Sequence, residues 1–231
     1  MKILAVESSA VCASVAVCDG EKIISENFVN AGLTHSQTLM PLVKSCMDTA
    51  GVSLDDIDLV CVAHGPGSFT GVRIGIAAVK GIAFGNKECC GVSTLEAMAY
   101  NLKGFDCTAL CVMDARCSQV YTAMFDCGET VTRLCEDKAI PVSELPEMIK
   151  NSKKPVFLLG DGAELCYNYL NNICDNVFLA PALNRYQRAS SVAFAALAQV
   201  GERITAEKLS PVYLRVPQAE RELKKKRSDN K

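Results

Sequence analysis

The chain has 231 residues, 49% of them hydrophobic and 22% charged, with a net charge of −2. This composition excludes disorder throughout, and the charge excludes a global basic field that would attract nucleic acid. No run of about 18 apolar residues is present, and Glu7 interrupts the N-terminal apolar stretch after four residues, so we expect neither a membrane span nor a secretory signal.

The first hundred residues predict a β-meander followed by alternating helices and strands. The meander consists of Lys2–Val6, Cys12–Cys18 and Lys22–Val29, with a tight turn at Asp19-Gly20. The elements after it are a helix that opens at Thr34 and ends at Gly51, the strand Ile57–Ala63, a helix from the Gly65–Ser68 turn to about Phe84, the strand Glu88–Val92 and a helix from Ser93.

The second half repeats this order. Its predicted strands are Thr108–Met113, Gln119–Phe125, Thr130–Cys135, Val156–Leu159 and Asn176–Leu179, and its predicted helices are Ser143–Lys150, Ala163–Leu170 and Ser190–Val200. Two β-β-β-α-β-α-β-α lobes in tandem are typical of the α/β actin/hexokinase/Hsp70-like (ASKHA) fold.

The lobe boundaries follow from this repeat. We predict an N-terminal lobe at 1–103, a C-terminal lobe at 104–215 and a disordered tail at 216–231. The tail carries a net charge of +3 and the rest of the chain −5. A solvated tail is the simpler interpretation, and weak electrostatic help in RNA binding is the alternative.

Cysteines and histidines argue against a metal site. None of the 13 cysteines has C-x-x-C spacing, and His35 and His64, the two histidines, are too far apart for a helical metal pair. We interpret the cysteines as small buried hydrophobic residues in a reducing cytosol, which predicts a cytoplasmic protein. Both histidines are predicted to be structural or capping residues.

The segment Gly65-Pro66-Gly67-Ser68 leads a predicted buried strand into a helix. Helix N-termini bind anions, so phosphate binding is one interpretation, and a turn capped by Ser68 or Thr70 is the other. The spacing is not that of a P-loop. The weak candidates for nucleotide binding are the residues that end the first strand of each lobe: Glu7, Ser8, Ser9 and Asp114. No glycine follows either carboxylate, which argues against strong ATP hydrolysis.

The helices before and after the Gly65–Ser68 turn have unusual faces. The first has an apolar arc wider than one packing surface needs, and the second is rich in glycine and alanine. Packing on the lobe's own sheet is one explanation, and a helical interface with a partner protein is the other. The predicted interface residues are His35, Leu39, Met40, Val43, Met47, Val72, Gly75, Ala78 and Val79.

The sequence resembles the TsaB (YeaZ) family of bacterial tRNA-modification factors from Met1 to about Glu220. The resemblance rests on ILAVESSAVCASVAV, THSQTLMPLV, VAHGPGSFTGVRIGIAAVKGIA, GVSTLEAMA, MDARCSQVYTAMF, LGDGAE and SPVYLRVPQAE, in this order. The related catalytic subunit TsaD holds a metal with the two histidines of N-H-M-E-G-H. Thr94 and Met98 stand at those positions here, so the resemblance implies a non-catalytic paralogue without a metal.

The resemblance also implies partners. It implies that the chain supports threonylcarbamoylation of adenosine 37 in tRNAs reading codons that begin with A. The chain would bind a TsaD-type subunit through the two helices, together with a TsaE-type P-loop ATPase, and would meet tRNA only within the complex. A homodimer on the same surface and a nucleotide at the partner interface stay open, with no intrinsic cofactor expected. The alternative function is a small-molecule kinase or an M22-like peptidase on the same fold.

Overall fold

The computed structural model of the chain describes residues 1–85, 87–199 and 203–215. It contains two mixed sheets with helices on their faces. The predicted tail at 216–231 lies outside the described residues. The repeated β-β-β-α-β-α-β-α order is confirmed, and the architecture is the predicted ASKHA fold.

The first sheet has the strand order β12-β5-β4-β1-β2-β3. The antiparallel pairs β1–β2 and β2–β3 form the meander, while β4 and β5 run parallel to β1. β4 is apolar and buried from Leu59 to Ala63, as is typical of a strand inside a sheet with both faces covered. The bounds are β1 Lys2–Glu7, β2 Ala13–Asp19, β3 Lys22–Val29, β4 Leu59–Gly65, β5 Glu88–Ser93 and β12 Ile204–Thr205.

The second sheet has the order β11-β10-β6-β7-β8, with β9 also paired to β7. β8, β7, β6, β10 and β11 repeat the order of β3, β2, β1, β4 and β5, which is the topological duplication that the sequence predicts. The bounds are β6 Cys107–Asp114, β7 Gln119–Cys127, β8 Val131–Arg133, β9 Lys138–Pro141, β10 Val156–Leu159 and β11 Val177–Leu179.

The helices cover the two sheets. α1 and α2 cover one face of the first sheet, α3 and α7 lie on its other face, and α3 also contacts the second sheet. α4 and α5 cover the far face of the second sheet. The bounds are α1 His35–Ala50, α2 Phe69–Ile82, α3 Thr94–Ala99, α4 Leu145–Ile149, α5 Ala163–Leu170, α6 Ala182–Arg185 and α7 Ala189–Ala198.

The last helix belongs to a different lobe from the one predicted. We placed Ser190–Val200 in the C-terminal lobe, yet α7 packs on β1, β2 and β4 of the first sheet. Because α7 is apolar on most of its surface, its pattern does not indicate which sheet it covers. The strands β9 and β12 and the short helix α6 were not predicted, since two to four residues are too few to show a period.

Candidate functional site

The Glu7 side chain, at the end of β1, is buried and hydrogen-bonded within its own lobe. Its Oε1 accepts hydrogen bonds from the backbone N–H of Ser9 at 2.6 Å and from the Ser9 hydroxyl at 2.5 Å. Its Oε2 has no hydrogen-bond partner within the described residues. Burial raises the pKa of Glu7 to about 7, because desolvation disfavours the charged form. At neutral pH a large fraction of this carboxyl is therefore protonated.

Asp114 occupies the equivalent place in the second lobe but is exposed. Its Oδ1 accepts a hydrogen bond from the backbone N–H of Arg116 at 2.7 Å, which is the same two-residue contact that Glu7 makes with Ser9. The structure adds a third carboxyl that the sequence analysis missed. Asp161 follows β10, and burial raises its pKa to about 6. The glycines on both sides of Asp161 are the sequence signal that could have identified it.

Ser8 and Ser9 are fully buried against the start of α2. The Ser8 hydroxyl donates to the carbonyl oxygen of Gly71 at 3.0 Å, and the Ser9 carbonyl accepts from the N–H of Ser68 at 2.6 Å. The side chain of Ser68 in turn accepts from the N–H of Gly71 at 3.3 Å and caps α2. The segment is therefore a capped turn, and both serine hydroxyls are engaged within the lobe.

This packing explains two glycines of α2, Gly71 and Gly75. A Cβ atom at Gly71 would overlap the carbonyl oxygen of Ser8, and one at Gly75 would lie 2.5 Å from the Ser8 Oγ and 3.2 Å from Val62 Cγ2. Gly75 therefore faces its own sheet, and our prediction that it contacts a partner helix is wrong. Gly71 allows the close approach of the Ser8 carbonyl, and Gly75 allows that of the Ser8 side chain.

Other predicted interface residues are also in the core. Leu39, Val43, Val72 and Val79 are at most 4% exposed, since they pack on the first sheet, and they cannot contact a partner. His35 is half-buried, with its Nε2 2.7 Å from the Ala10 carbonyl oxygen. Met47 and Ala78 are half-buried, and Met40 is 50% exposed.

The exposed face of α2 differs from the predicted one. Thr70, Arg73, Ala77 and Gly81 are exposed, and their spacing of three and four residues places them on one stripe opposite the core. Phe84, just beyond the helix, is 89% exposed. We call these five residues the α2 stripe.

A cavity of about 470 Å³ lies between the lobes. Its lining includes hydroxyl groups and the first turn of α2 from the first lobe, together with carboxyl and guanidinium groups. Glu7 and Ser8 are not among the residues that line it, whereas Ser9 and Asp114 are. The charged lining residues are Asp114, Arg116, Asp161 and Arg215.

One wall of this cavity is formed by a segment to which the sequence analysis assigned no structural role. Residues 209–215, which we call the C-terminal strap, begin at the buried Leu209 and run beside β4, where the N–H of Val212 donates to the carbonyl oxygen of His64 at 2.8 Å. Tyr213 stacks on Phe69 with 4.5 Å between ring centroids. Arg215 donates to the carbonyl oxygen of Ala115 at 2.6 Å and so reaches the second lobe.

Thr94 and Met98, which the resemblance places where TsaD has its histidines, are fully buried. Met98 lies in the cluster between α3 and the second sheet. Within residues 1–85, 87–199 and 203–215, no group of three His, Cys, Asp or Glu side chains could hold a metal ion, and no helix is long and apolar enough to cross a membrane.

Comparison with known proteins gives concordant matches. Residues 29–223 match the family model of TsaD, tRNA N6-adenosine threonylcarbamoyltransferase. A Bacillus subtilis (strain 168) protein named tRNA threonylcarbamoyladenosine biosynthesis protein TsaB is 30% identical over 223 residues, or 95% of this chain and 96% of the relative. The Escherichia coli (strain K12) protein of the same name is 37% identical over 132 residues, or 56% of this chain and 57% of the relative. The structure of YeaZ from Pseudomonas aeruginosa covers 92% of this chain and 99% of its own, with a TM-score of 0.76 and 26% identity.

Proposed function

The chain belongs to the TsaB (YeaZ) family and has a role in tRNA threonylcarbamoylation, and we propose that it is the non-catalytic subunit that binds a TsaD-type catalytic subunit. In this proposal the complex modifies adenosine 37 of tRNAs that read codons beginning with A. The chain would act in the cytoplasm with a TsaE-type P-loop ATPase, and would meet tRNA only within the complex.

The α2 stripe is the observation that supports binding to a partner most directly. Ala77 and Gly81 leave the helix backbone accessible, and a Cβ added at Gly81 would meet nothing within 4 Å. Phe84 adds a large apolar side chain in the open. A helix of the partner could therefore approach closely and bury the phenyl ring, as helix faces do at protein interfaces.

The burial of the two residues that stand where TsaD has its metal-binding histidines supports a non-catalytic role. Thr94 and Met98 lie in the core, and a metal at their positions would require imidazole ligands and an open coordination site. The Glu7 carboxyl is fully buried and its pKa is raised to about 7, which makes it a poor ligand for a magnesium-bound nucleotide. We also propose that a nucleotide can bind at the interface with the partner. A homodimer on the α2 stripe would compete with TsaD binding.

A titration of the purified chain with a TsaD-type subunit tests the proposal. We expect a complex, and we expect Ala77→Arg to abolish it because a bulky charge would be placed in the contact. Ala182→Arg is the matched control, since Ala182 is exposed on α6 in the second lobe. Failure of the wild-type chain to bind would refute the proposal. Equal loss in both variants would reject the α2 stripe as the contact.

The alternative functions predict turnover by the chain alone. With ATP and Mg²⁺, a kinase on this fold should turn over at about 1 s⁻¹ or faster. We expect no such activity, and we expect tRNA threonylcarbamoylation in a reconstituted mixture to require this chain. Turnover by the isolated chain would favour the kinase, and peptide cleavage would favour the peptidase.

A further inference from the structure

We propose that Arg73 is a preformed anchor for a carboxylate of the TsaD-type subunit, and that Tyr213 of the C-terminal strap is the residue that positions it. This inference rests on the proposed function, and it names one chemical contact at that interface. Arg73 is exposed on the α2 stripe, between Thr70 and Ala77.

The Arg73 guanidinium is held from two sides. Its Cζ lies 3.7 Å from the centroid of the Phe69 ring, and its Nε–H donates to the Tyr213 hydroxyl at 2.8 Å. The Tyr213 ring is itself stacked on Phe69, so three side chains from α2 and the strap form one unit. A surface arginine normally loses side-chain entropy when it binds a partner, and a guanidinium that is already oriented loses less.

The terminal nitrogens of Arg73 are available to a partner. Within the part of the chain that the structure describes, Arg73 makes no ion pair, and its one hydrogen bond uses Nε. The two Nη groups are left to donate. Two parallel N–H donors match the two oxygens of a carboxylate, which is the strong bidentate form of this contact.

The surroundings favour a protein carboxylate over an RNA phosphate. The neighbours of Arg73 on the α2 stripe are small or apolar, namely Thr70, Ala77, Gly81 and Phe84. A phosphate-binding surface instead presents several lysines and arginines together, and residues 1–215 carry a net charge of −5. A single arginine within an apolar helix face is the usual composition of a protein hot spot.

The C-terminal strap connects Arg73 with the interlobe cavity. Tyr213 also lines the interlobe cavity, and Arg215 donates a hydrogen bond to the Ala115 carbonyl oxygen of the second lobe. Seating of the strap between the lobes therefore sets the position of the Tyr213 hydroxyl. We expect the strap to influence partner affinity through Arg73, although the strap itself contributes no residue to the α2 stripe.

Titration of variants with the TsaD-type subunit tests the anchor. Arg73→Ala should weaken binding roughly 10- to 100-fold, and Arg73→Lys about 10-fold, because lysine keeps the charge but not the bidentate fork. The loss should shrink in high salt, since the contact is electrostatic. Lys22→Ala is the control, because it removes one exposed positive charge from the same lobe, on the edge strand β3 and outside α2. This variant should leave binding unchanged.

A double-mutant cycle tests the positioning role. Tyr213→Phe keeps the stack on Phe69 and removes the hydroxyl acceptor, so it should weaken binding about 3- to 10-fold without changing the melting temperature. In the Arg73→Ala background the same change should have no further effect, because the two residues act as one unit. An undiminished effect of Tyr213→Phe in that background would overturn the positioning role.

The outcomes separate the two proposals. If the wild-type chain binds and Ala77→Arg abolishes binding, but Arg73→Ala matches Lys22→Ala, the proposed function stands and the anchor is wrong. If the wild-type chain does not bind at all, the proposed function fails. If Arg73→Ala reduces the affinity of the isolated chain for tRNA and not for the TsaD-type subunit, the anion is a phosphate and the carboxylate proposal is overturned.

Discussion

The Ser8 hydroxyl donates a hydrogen bond to the carbonyl oxygen of Gly71, 3.0 Å away, and so joins the turn after β1 to the first turn of α2. This contact is only accessible because the residue at 71 has no side chain. It directs Gly71 and Gly75 toward the lobe's own sheet and leaves the α2 stripe exposed.

Substitution of Gly75 and of Gly81 by alanine should change the free energy of unfolding in opposite directions. Gly75→Ala places a Cβ 2.5 Å from Ser8 Oγ, so we expect a loss of roughly 1–3 kcal/mol from overpacking. Gly81→Ala, on the same helix, enters open space and should gain about 0.5–1 kcal/mol from helix propensity. Urea unfolding of the isolated chain measures both. Stabilisation by Gly75→Ala would show that Gly75 does not face Ser8.

Stability should fall as the pH rises toward neutrality because of Glu7. The unfolded chain releases this proton near its ordinary pKa of 4.5, and the folded chain releases it near 7. The contribution of protonated Glu7 to the free energy of unfolding is complete below about pH 4.5. It is lost as the pH rises to about 7, a change of roughly 3 kcal/mol. Glu7→Gln should be more stable than the wild type at pH 8.

The difference between the wild-type and Glu7→Gln stability curves from pH 4.5 to pH 8 is the quantity to measure. It isolates Glu7 from His64, whose burial lowers its pKa and gives a slope of the opposite sign. It also isolates Glu7 from Asp161, whose raised pKa gives a slope of the same sign. A difference that does not change with pH would mean that Glu7 is solvated in the folded chain.

Glu26 should be important for the attachment of α7. Its carboxylate accepts hydrogen bonds from the Ser190 N–H at 3.1 Å and the Ser190 hydroxyl at 2.9 Å, and it pairs with Arg188 at 2.7 Å. Because the side chain of Glu26 is only 7% exposed, Glu26→Ala would leave the Ser190 N–H and hydroxyl and the half-buried Arg188 without this acceptor, and should cost roughly 1–3 kcal/mol.

The control for Glu26 is a salt bridge at the surface. Glu21 pairs with Lys103 at 2.7 Å, but its side chain is 76% exposed, so Glu21→Ala should change stability by less than about 1 kcal/mol. Urea unfolding gives both values. Limited proteolysis should show faster cleavage near α7 only in Glu26→Ala, and equal cleavage would mean that other contacts hold this helix.

Thiol labelling should identify one fast cysteine. Cys117 is exposed, Cys135 and Cys174 are half-buried, and the other ten cysteines are buried. Burial also raises the pKa of a thiol such as Cys12, to about 12, which suppresses the reactive thiolate. We expect one rapid equivalent in the native chain, thirteen in denaturant, and loss of the rapid one in Cys117→Ser. Several rapid equivalents in the native chain would contradict this packing.

Local chain properties determined the element order. The alternation of Ala13–Asp19 and the helical period of His35–Ala50 are set by neighbours in sequence, so the repeated lobes and the carboxylates that end β1 and β6 could be predicted. The same reasoning identified Glu7, Ser8, Ser9 and Asp114 as residues at equivalent strand ends.

Tertiary structure alone decided which surface each element faces. A helix rich in small residues can present its glycines to its own sheet or to a partner, and only the position of the Ser8 and Val62 side chains selects the first option for Gly75. The apolar helix α7 likewise could cover either sheet, and the contacts of Glu26 with Arg188 and Ser190 attach it to the first. Tyr213 reaches Arg73 across 140 residues of sequence. No local period encodes such a contact, because it forms only when folding brings α2 and the C-terminal strap together.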